Sequence, residues 1–310
     1  MAIVGPTGAG KSALALHVAR KFRGEIVNCD SLQVYRYFDI GTAKTPLSER
    51  GDIPHHLFDI LDPDELFTAG DYSRLARQVL AEIRSRGRLP VIVGGTGFYL
   101  KALLDGLFAG PQRDTALRQR LQAREERRPG SLHRLLSRFD PTSAGRIHPH
   151  DRNKLIRALE ICILARQPVT QLYQSGSQPL EGFRSLLLGL DPDRQQLYSL
   201  LNHRCKQMME TGLLDEVREI LARGYPRSCK PFEAIGYKHA LWVLDQKYPL
   251  DVAVSEMQKE TRNYAKRQWT WFKKDTRVRW IAGFGSARQV QEITSETILK
   301  FLSADPIFLS

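Results

Sequence analysis

The segment Gly5-Pro6-Thr7-Gly8-Ala9-Gly10-Lys11-Ser12 follows directly on the apolar run Ala2-Ile3-Val4 and leads into a helix-forming stretch, Ala13-Leu14-Ala15-Leu16-His17-Val18-Ala19. Strand, glycine-rich turn and helix in that order make a phosphate loop of the G-x-x-x-x-G-K-[ST] type. Its glycines let successive backbone N–H groups converge on phosphate oxygens where a side chain would block the approach. The positive end of the following helix adds to the field. Lys11 contributes a point charge, and the Ser12 hydroxyl suits Mg²⁺. Four fixed positions match by chance in a chain this long about once in a hundred sequences. All eight residues are therefore candidates for holding phosphate.

Strand–helix alternation continues to about residue 107. Residues 25–29 and 89–93 read as strands. A helix is expected over 71–85, with Leu75, Val79, Leu80 and Ile83 on one face and a stop at Gly87. Such alternation implies a parallel sheet with right-handed crossovers. From 113 to 167 the pattern becomes helix after helix, entered at Gly110-Pro111 and left at Ser175-Gly176-Ser177-Gln178-Pro179. A last strand is expected over 185–190, helices over 194–209 and 213–223, and then a helical final third. The expected fold is α/β: a parallel-sheet P-loop domain, nucleotide-kinase-like (1–112 and 184–310), carrying an all-helical insertion domain (113–183).

The charge balance narrows the partner. Among 310 residues, 46 Lys+Arg face 34 Asp+Glu, a net charge of +12, while 42% hydrophobic content suffices for a real core. A polyanion is implied, nucleic acid before membrane. Residues 113–166 hold 13 Lys+Arg against 6 Asp+Glu, about +7 of the surplus. A second basic block runs from 259 to 280: Lys259, Arg262, Lys266, Arg267, Lys273, Lys274, Arg277 and Arg279, interleaved with Tyr264, Trp269, Trp271, Phe272 and Trp280. There the aromatics are expected in the core and the charges on RNA. Cys29, Cys162, Cys205 and Cys229 are far apart, with no C-x-x-C pair, as in reduced, buried thiols of a cytosolic protein. Neither a secretory start nor a long uncharged apolar stretch occurs, so no membrane association and a cytoplasmic location are expected.

In an open parallel sheet, ligands bind beyond the carboxyl ends of the strands. Three clusters fall there: the phosphate loop, Asp30-Ser31-Leu32-Gln33, and Gly94-Gly95-Thr96-Gly97. This brings Asp30 and Thr96 within reach of whatever Lys11 holds. The strand at 89–93 ends in glycines where a Walker B acid would help to hold Mg²⁺. Asn153-Lys154 continues as Leu155-Ile156, so no guanine-reading motif is present. An ordinary GTPase or ATPase is disfavoured. On the helix Leu197, Leu200, Leu201, Arg204, Met208, the arginine lies on the apolar face and needs an anion, a carboxylate or a ligand phosphate. His55, His56, His133, His148 and His150 show no metal spacing and are expected to be structural.

The chain resembles the bacterial-type tRNA dimethylallyltransferases (tRNA isopentenyltransferases). The matching segments are the phosphate loop, Asp30-Ser31-Leu32-Gln33-Val34-Tyr35, Asp39-Ile40-Gly41-Thr42-Ala43-Lys44 and Val93-Gly94-Gly95-Thr96. They continue in Arg146-Ile147-His148-Pro149, Arg157-Ala158-Leu159-Glu160 and Ile235-Gly236-Tyr237. The resemblance implies transfer of a dimethylallyl group from dimethylallyl diphosphate to N6 of adenosine 37 in the anticodon stem-loop of tRNA. It also implies that the loop holds diphosphate rather than ATP, consistent with the missing Walker B acid. It further implies Mg²⁺ on Ser12, Asp30 as general base, and Lys11, Ser12, Thr96 and Arg204 completing the catalytic set. Contacts to tRNA are implied for Asp30, Ser31, Leu32, Gln33, Thr96, Arg118, Asn153, Lys154, Leu155, Ile156, Arg157, Glu233, Ala234, Ile235, Gly236, Tyr237 and Lys238. A monomer is expected. A nucleoside or nucleotide kinase and an RNA-binding NTPase are the alternative readings of the loop.

Overall fold

A computed structural model describes residues 1–108, 110–174 and 176–304. Ser175, in the expected exit from the helical segment, and the expected domain end at 305–310 lie outside the described residues. Six strands form one all-parallel sheet: β1 Ala2–Val4, β2 Gly24–Asn28, β3 His55–His56, β4 Leu89–Val93, β5 Leu187–Asp191 and β6 Val278–Ala282. Their order is β3-β2-β4-β1-β5-β6. Register places Ala2 beside Ile92 and Leu187, so β1 is hydrogen-bonded on both edges. Its three residues are buried, which is why it reads as an unbroken apolar run rather than an alternating one.

Helices α1 Lys11–Lys21, α2 Leu47–Arg50, α3 Ala69–Ser85 and α4 Gly97–Leu104 accompany the first four strands. The helix expected over 71–85 starts two residues earlier. Thr68 accepts from the Asp71 N–H, and the Asp71 carboxylate reaches back to the Thr68 N–H, a capping box that sets the boundary. Then follow α5 Thr115–Arg127, α6 Ser131–Phe139, α7 Pro141–Arg146, α8 Arg152–Ala165 and α9 Val169–Gln174. After β5 come α10 Arg194–Glu210, α11 Leu213–Ala222, α12 Tyr237–Leu244, α13 Leu250–Phe272 and, beyond β6, α14 Arg288–Ser303. The final third is thus not wholly helical. β6 pairs with β5 from Val278 to Ala282, and Trp280 sits opposite Gly189, where a Cβ would strike the indole.

The chain divides into two compact units, Met1–Leu103 with Gly182–Ser310, and Leu104–Glu181. The second begins before the basic composition starts at 113. Backbone pairing rather than charge sets its edge: Leu180 N–H donates to Leu104 C=O, and Phe108 bridges Ser177 antiparallel. In the first unit, Ile3, Leu14, Val18, Val91, Leu188 and Leu190 centre the core around the sheet, while Phe38, Phe232 and Tyr237 centre a second cluster under α11 and α12. Leu132, Leu136, Leu155 and Leu159 form the core of the helical unit.

That unit turns its acids inward. Glu125, Asp140 and Glu160 are buried. Asp114, Asp140 and Asp151 accept from the first-turn N–H groups of α5, α7 and α8. Glu125 accepts the Gly130 and Leu132 N–H groups at the start of α6. Carboxylates at helix N-termini satisfy orphan donors and offset the dipole. The exposed arginines of the same segment, among them Arg120, Arg124, Arg134 and Arg138, are left with little opposing charge.

Candidate active site

Two left-handed glycines shape the phosphate loop, Gly8 at φ 81° and Gly10 at φ 82°. Gly10 is also the N-cap of α1; no side chain caps the helix and no acid lies in its first turn, so its N–H groups remain for an anion. From behind, Gly285 N–H donates to Ala9 C=O at 2.8 Å. The Lys11 ammonium folds over the loop, donating to the carbonyls of Gly5 (3.0 Å) and Pro6 (2.8 Å). Desolvation lowers its pKa to about 8, against the opposing pull of Asp30 and with the repulsion of Arg204. Ser12 is exposed on the same cavity.

That cavity, of about 270 Å³, is lined by Thr7, Gly8, Gly10, Lys11 and Ser12, with Gln33 and Gly95 among the opposing residues. A second, of about 570 Å³, is within the range of small-molecule sites. Leu32, Glu233, Ala234, Ile235, Lys238 and Arg267 lie on its wall. Five residues line both: Thr7, Asp30, Thr42, Arg204 and Tyr264. They form a throat between the phosphate loop and the second cavity.

Asp30 is held by an Asx turn. Its N–H donates to Asn28 Oδ1 (2.9 Å), and its Oδ1 accepts from Leu32 N–H (2.9 Å). Oδ2 has no partner among the described residues. Arg204 likewise has no hydrogen-bond or ion-pair partner among the described residues, and desolvation depresses its pKa. Of the two anions expected for it, a protein carboxylate or a ligand phosphate, the first does not pair with it among the described residues.

Thr96 lies one step back. Its hydroxyl accepts from Ser31 N–H at 3.0 Å, so it holds the 30–33 turn and lines neither cavity. Gly94 allows this close approach, since a Cβ there would sit 2.0 Å from the Cys29 carbonyl. The motif Asp39–Lys44 is also explained. Lys44 is buried between Asp39 and Asp59, at 2.6 Å from each, and Thr42 reaches the throat.

Several residues implied as tRNA contacts are not at a surface. Leu155 and Ile156 are core of the helical unit, because neighbours on α8 are turned only about 100° apart and both fall on its wide inner face. Asn153 and Lys154 are exposed. Arg118 and Arg157 both grip the buried Glu160 carboxylate, Arg118 through two bonds of 2.8 Å and Arg157 at 2.6 Å. Tyr237 is fully buried; it donates to Glu216 at 2.6 Å and accepts from Gly41 N–H, anchoring the 39–44 loop. Gly236 turns the chain at φ 95° ahead of it and lines neither cavity. The aromatic block is corrected too. Tyr264 is a throat wall and Trp271 is 46% exposed, whereas Phe272 is core.

Sequence reasoning missed Thr42, Tyr264 and Gln268 as site residues. Tyr264 had a partial signal in the basic aromatic block. Gln268 had none, because its partners lie far away in the chain. His55 lines the phosphate cavity with its Nδ1 against Ile53 C=O. No cluster of His, Cys, Asp or Glu suited to a metal occurs among the described residues.

A phosphate cradle that empties through a carboxylate-bearing throat, on a sheet whose β4 is followed by glycines in place of an acid, fits a P-loop transferase rather than a nucleotide hydrolase. The family model described as IPP transferase matches residues 33–275. The tRNA dimethylallyltransferase of Solibacter usitatus is 58% identical over 302 residues, covering 97% of this chain and 98% of that one. The chain belongs to this IPP transferase family of tRNA-prenylating enzymes. The crystal structure of the tRNA isopentenylpyrophosphate transferase of Bacillus halodurans is 38% identical and superposes with a TM-score of 0.70, covering 96% of this chain and 95% of that one. A eukaryotic dimethylallyltransferase caught acting on tRNA superposes at 0.81 with 29% identity, over 98% of this chain and 79% of its own.

Proposed function

We propose that the chain moves a dimethylallyl group from dimethylallyl diphosphate to N6 of adenosine 37 in the anticodon stem-loop of tRNA. The throat carries this reading: Asp30 and Arg204 border both the phosphate loop's cavity and the second one. The diphosphate lies along residues 5–12. There the loop N–H groups, Lys11 and Arg204 take up the charge that grows on the leaving oxygen. The adenosine leaves its stack and enters through the second cavity, past Leu32, Ile235 and Lys238. Its exocyclic amine is a weak nucleophile, because the lone pair is delocalised into the ring. As N6 bonds to C1 of the donor, the C1–O bond breaks with its electron pair going to diphosphate. The N6 proton passes to Asp30 Oδ2. Thr96 acts through the Ser31 N–H, keeping that carboxylate in place.

Ser12, exposed beside the loop and without a hydrogen-bond partner among the described residues, fits a Mg²⁺ ion shared with the diphosphate. No acidic cage is needed for an ion held largely by phosphate oxygens and water. When bound, the ion supplies further neutralisation of the leaving group. Ser31, Gln33, Glu233 and Ala234 on the core, and Arg118, Asn153, Lys154 and Arg157 on the helical unit, are the proposed tRNA contacts. The proposed state is a monomer. Among the described residues no helix is long and apolar enough to cross a membrane; a cytoplasmic location is proposed from the tRNA substrate. The test is incubation of unmodified tRNA with labelled dimethylallyl diphosphate. Label entering tRNA at adenosine 37 is expected; none entering would end the proposal.

A further inference from the structure

On α13, one buried side chain ties two walls of the phosphate cavity together. Gln268 is 5% exposed. Its Oε1 accepts from Thr7 N–H at 2.7 Å, and its Nε2 donates to Gly95 C=O at 3.0 Å. Tyr264, one turn earlier on the same helix, lines the same cavity. Thr7 belongs to the phosphate loop after β1, and Gly95 to the turn after β4. Thr7 and Tyr264 are throat residues, while Gly95 and Gln268 line the phosphate cavity. The fit is tight, since a Cβ on Gly95 would lie 2.0 Å from Gln268 Nε2.

A primary amide suits this task because it offers an acceptor and donors in one rigid plane. A phosphate loop works by aiming its N–H groups inward, yet here the Thr7 N–H is turned away from the cradle and fixed to α13. The remaining N–H groups, from Gly8 onward, are thereby set in a defined register against the turn that carries Thr96 and, through Ser31, Asp30.

We propose that Gln268 is a positioning residue of the phosphate loop, and that its amide, clamped between Thr7 N–H and Gly95 C=O, sets the cradle for the diphosphate. The inference rests on the prenyl-transfer reading only in the choice of ligand. Loss of the clamp acts on the donor side, and tRNA affinity is left intact. Small displacements of a positioned group cost about 10²-fold in rate at the extreme.

The probe is inorganic pyrophosphate with Mg²⁺, its binding measured by calorimetry on wild type, Gln268→Leu, Gln268→Glu and Gly95→Ala. Gln268→Leu and Gly95→Ala are expected to weaken pyrophosphate by about tenfold or more. In turnover, donor KM should rise with little change in tRNA KM. Gln268→Glu gives the readout that a packing role would not move. An ionised carboxylate accepts from Thr7 but repels Gly95 C=O, whereas its protonated form does both jobs of the amide. Relative to wild type at each pH, its pyrophosphate affinity should recover as pH falls from 8 to 5, while Gln268→Leu shows no recovery. This holds even if the leucine variant folds poorly. Unaltered pyrophosphate affinity in Gln268→Glu and Gly95→Ala, or a glutamate variant indifferent to pH, overturns the clamp. If wild type binds pyrophosphate through Gln268 yet no label enters tRNA, the clamp stands and the prenyl-transfer reading falls.

Discussion

Asp30 combines two duties that can be separated by substitution. Its Oδ1 closes the Asx turn, and its Oδ2, on a residue that lines the throat, has no partner among the described residues, so Asp30→Asn keeps the first duty and loses the second. Binding of tRNA should persist while the single-turnover rate drops by about 10²–10⁴. Unchanged rapid-quench rates would remove Asp30 as the base. Lys11 yields a pH prediction. Burial lowers its pKa to about 8, so the folded free protein sheds this proton earlier than the unfolded chain, whose lysine titrates near 10.5. Pyrophosphate affinity should therefore weaken as pH rises through about 8, because the cradle loses its cation. Stability of the ligand-free protein should instead rise from about pH 8 to about 10.5, where the unfolded state binds more protons. Lys11→Met should abolish both trends in calorimetry and in pH-resolved melting. Much of this residue-level picture was legible: loop, Asp30 turn and Arg204 all announce themselves by type and spacing. Gln268 did not, since hydrogen bonds to Thr7 and Gly95 span 261 and 173 positions and leave no local mark.

Elements were legible where periodicity was long. The strand at 89–93 is found as expected, and α10 differs from its expected span by one residue. β3 has only two residues, too few for any pattern, and is called into being by pairing with β2 through Ile26 and Val27. β6 was hidden because Arg279 and Trp280 extend a run of charges and aromatics that began on α13. It is an edge strand with only Val278 and Ile281 buried, which explains its weak alternation. α8 shows how one motif can serve structure as well as contact. Its motif Arg157-Ala158-Leu159-Glu160 carries a hub, in which Glu160 takes Arg118, Arg157 and the Asp114 N–H. Burial alone would raise the Glu160 pKa, but the two arginines and the backbone donor prevail and hold it at about 2. This contribution to stability is complete above about pH 4.5 and is lost as pH falls towards 2. Glu160→Ala leaves two partly exposed guanidinium groups and the Asp114 N–H short of a partner and should destabilise the helical unit by about 1–3 kcal/mol. Hydrogen exchange resolved along the chain would check this, with α5 and α8 losing protection first. Equal protection in the variant would show the hub to be dispensable.

Across the molecule, the surplus of +12 is not evenly spread, and the inward-facing acids of the helical unit sharpen the contrast. Binding of tRNA should fall steeply with salt, each neutralised phosphate adding about 0.7–0.9 to the log–log slope. Replacing the exposed pair Arg124 and Arg128 with Gln should flatten that slope by up to about two units at unchanged melting temperature. A slope that does not move would take this face out of the RNA contact. All four native thiols are buried, and burial pushes each pKa upward, that of Cys29 to about 12. A maleimide dye at neutral pH therefore finds almost no native thiolate to attack. Single cysteines engineered on the outer faces of the two units can carry fluorophores without first stripping the wild-type background, so the separation of the units can be followed by energy transfer as substrate arrives.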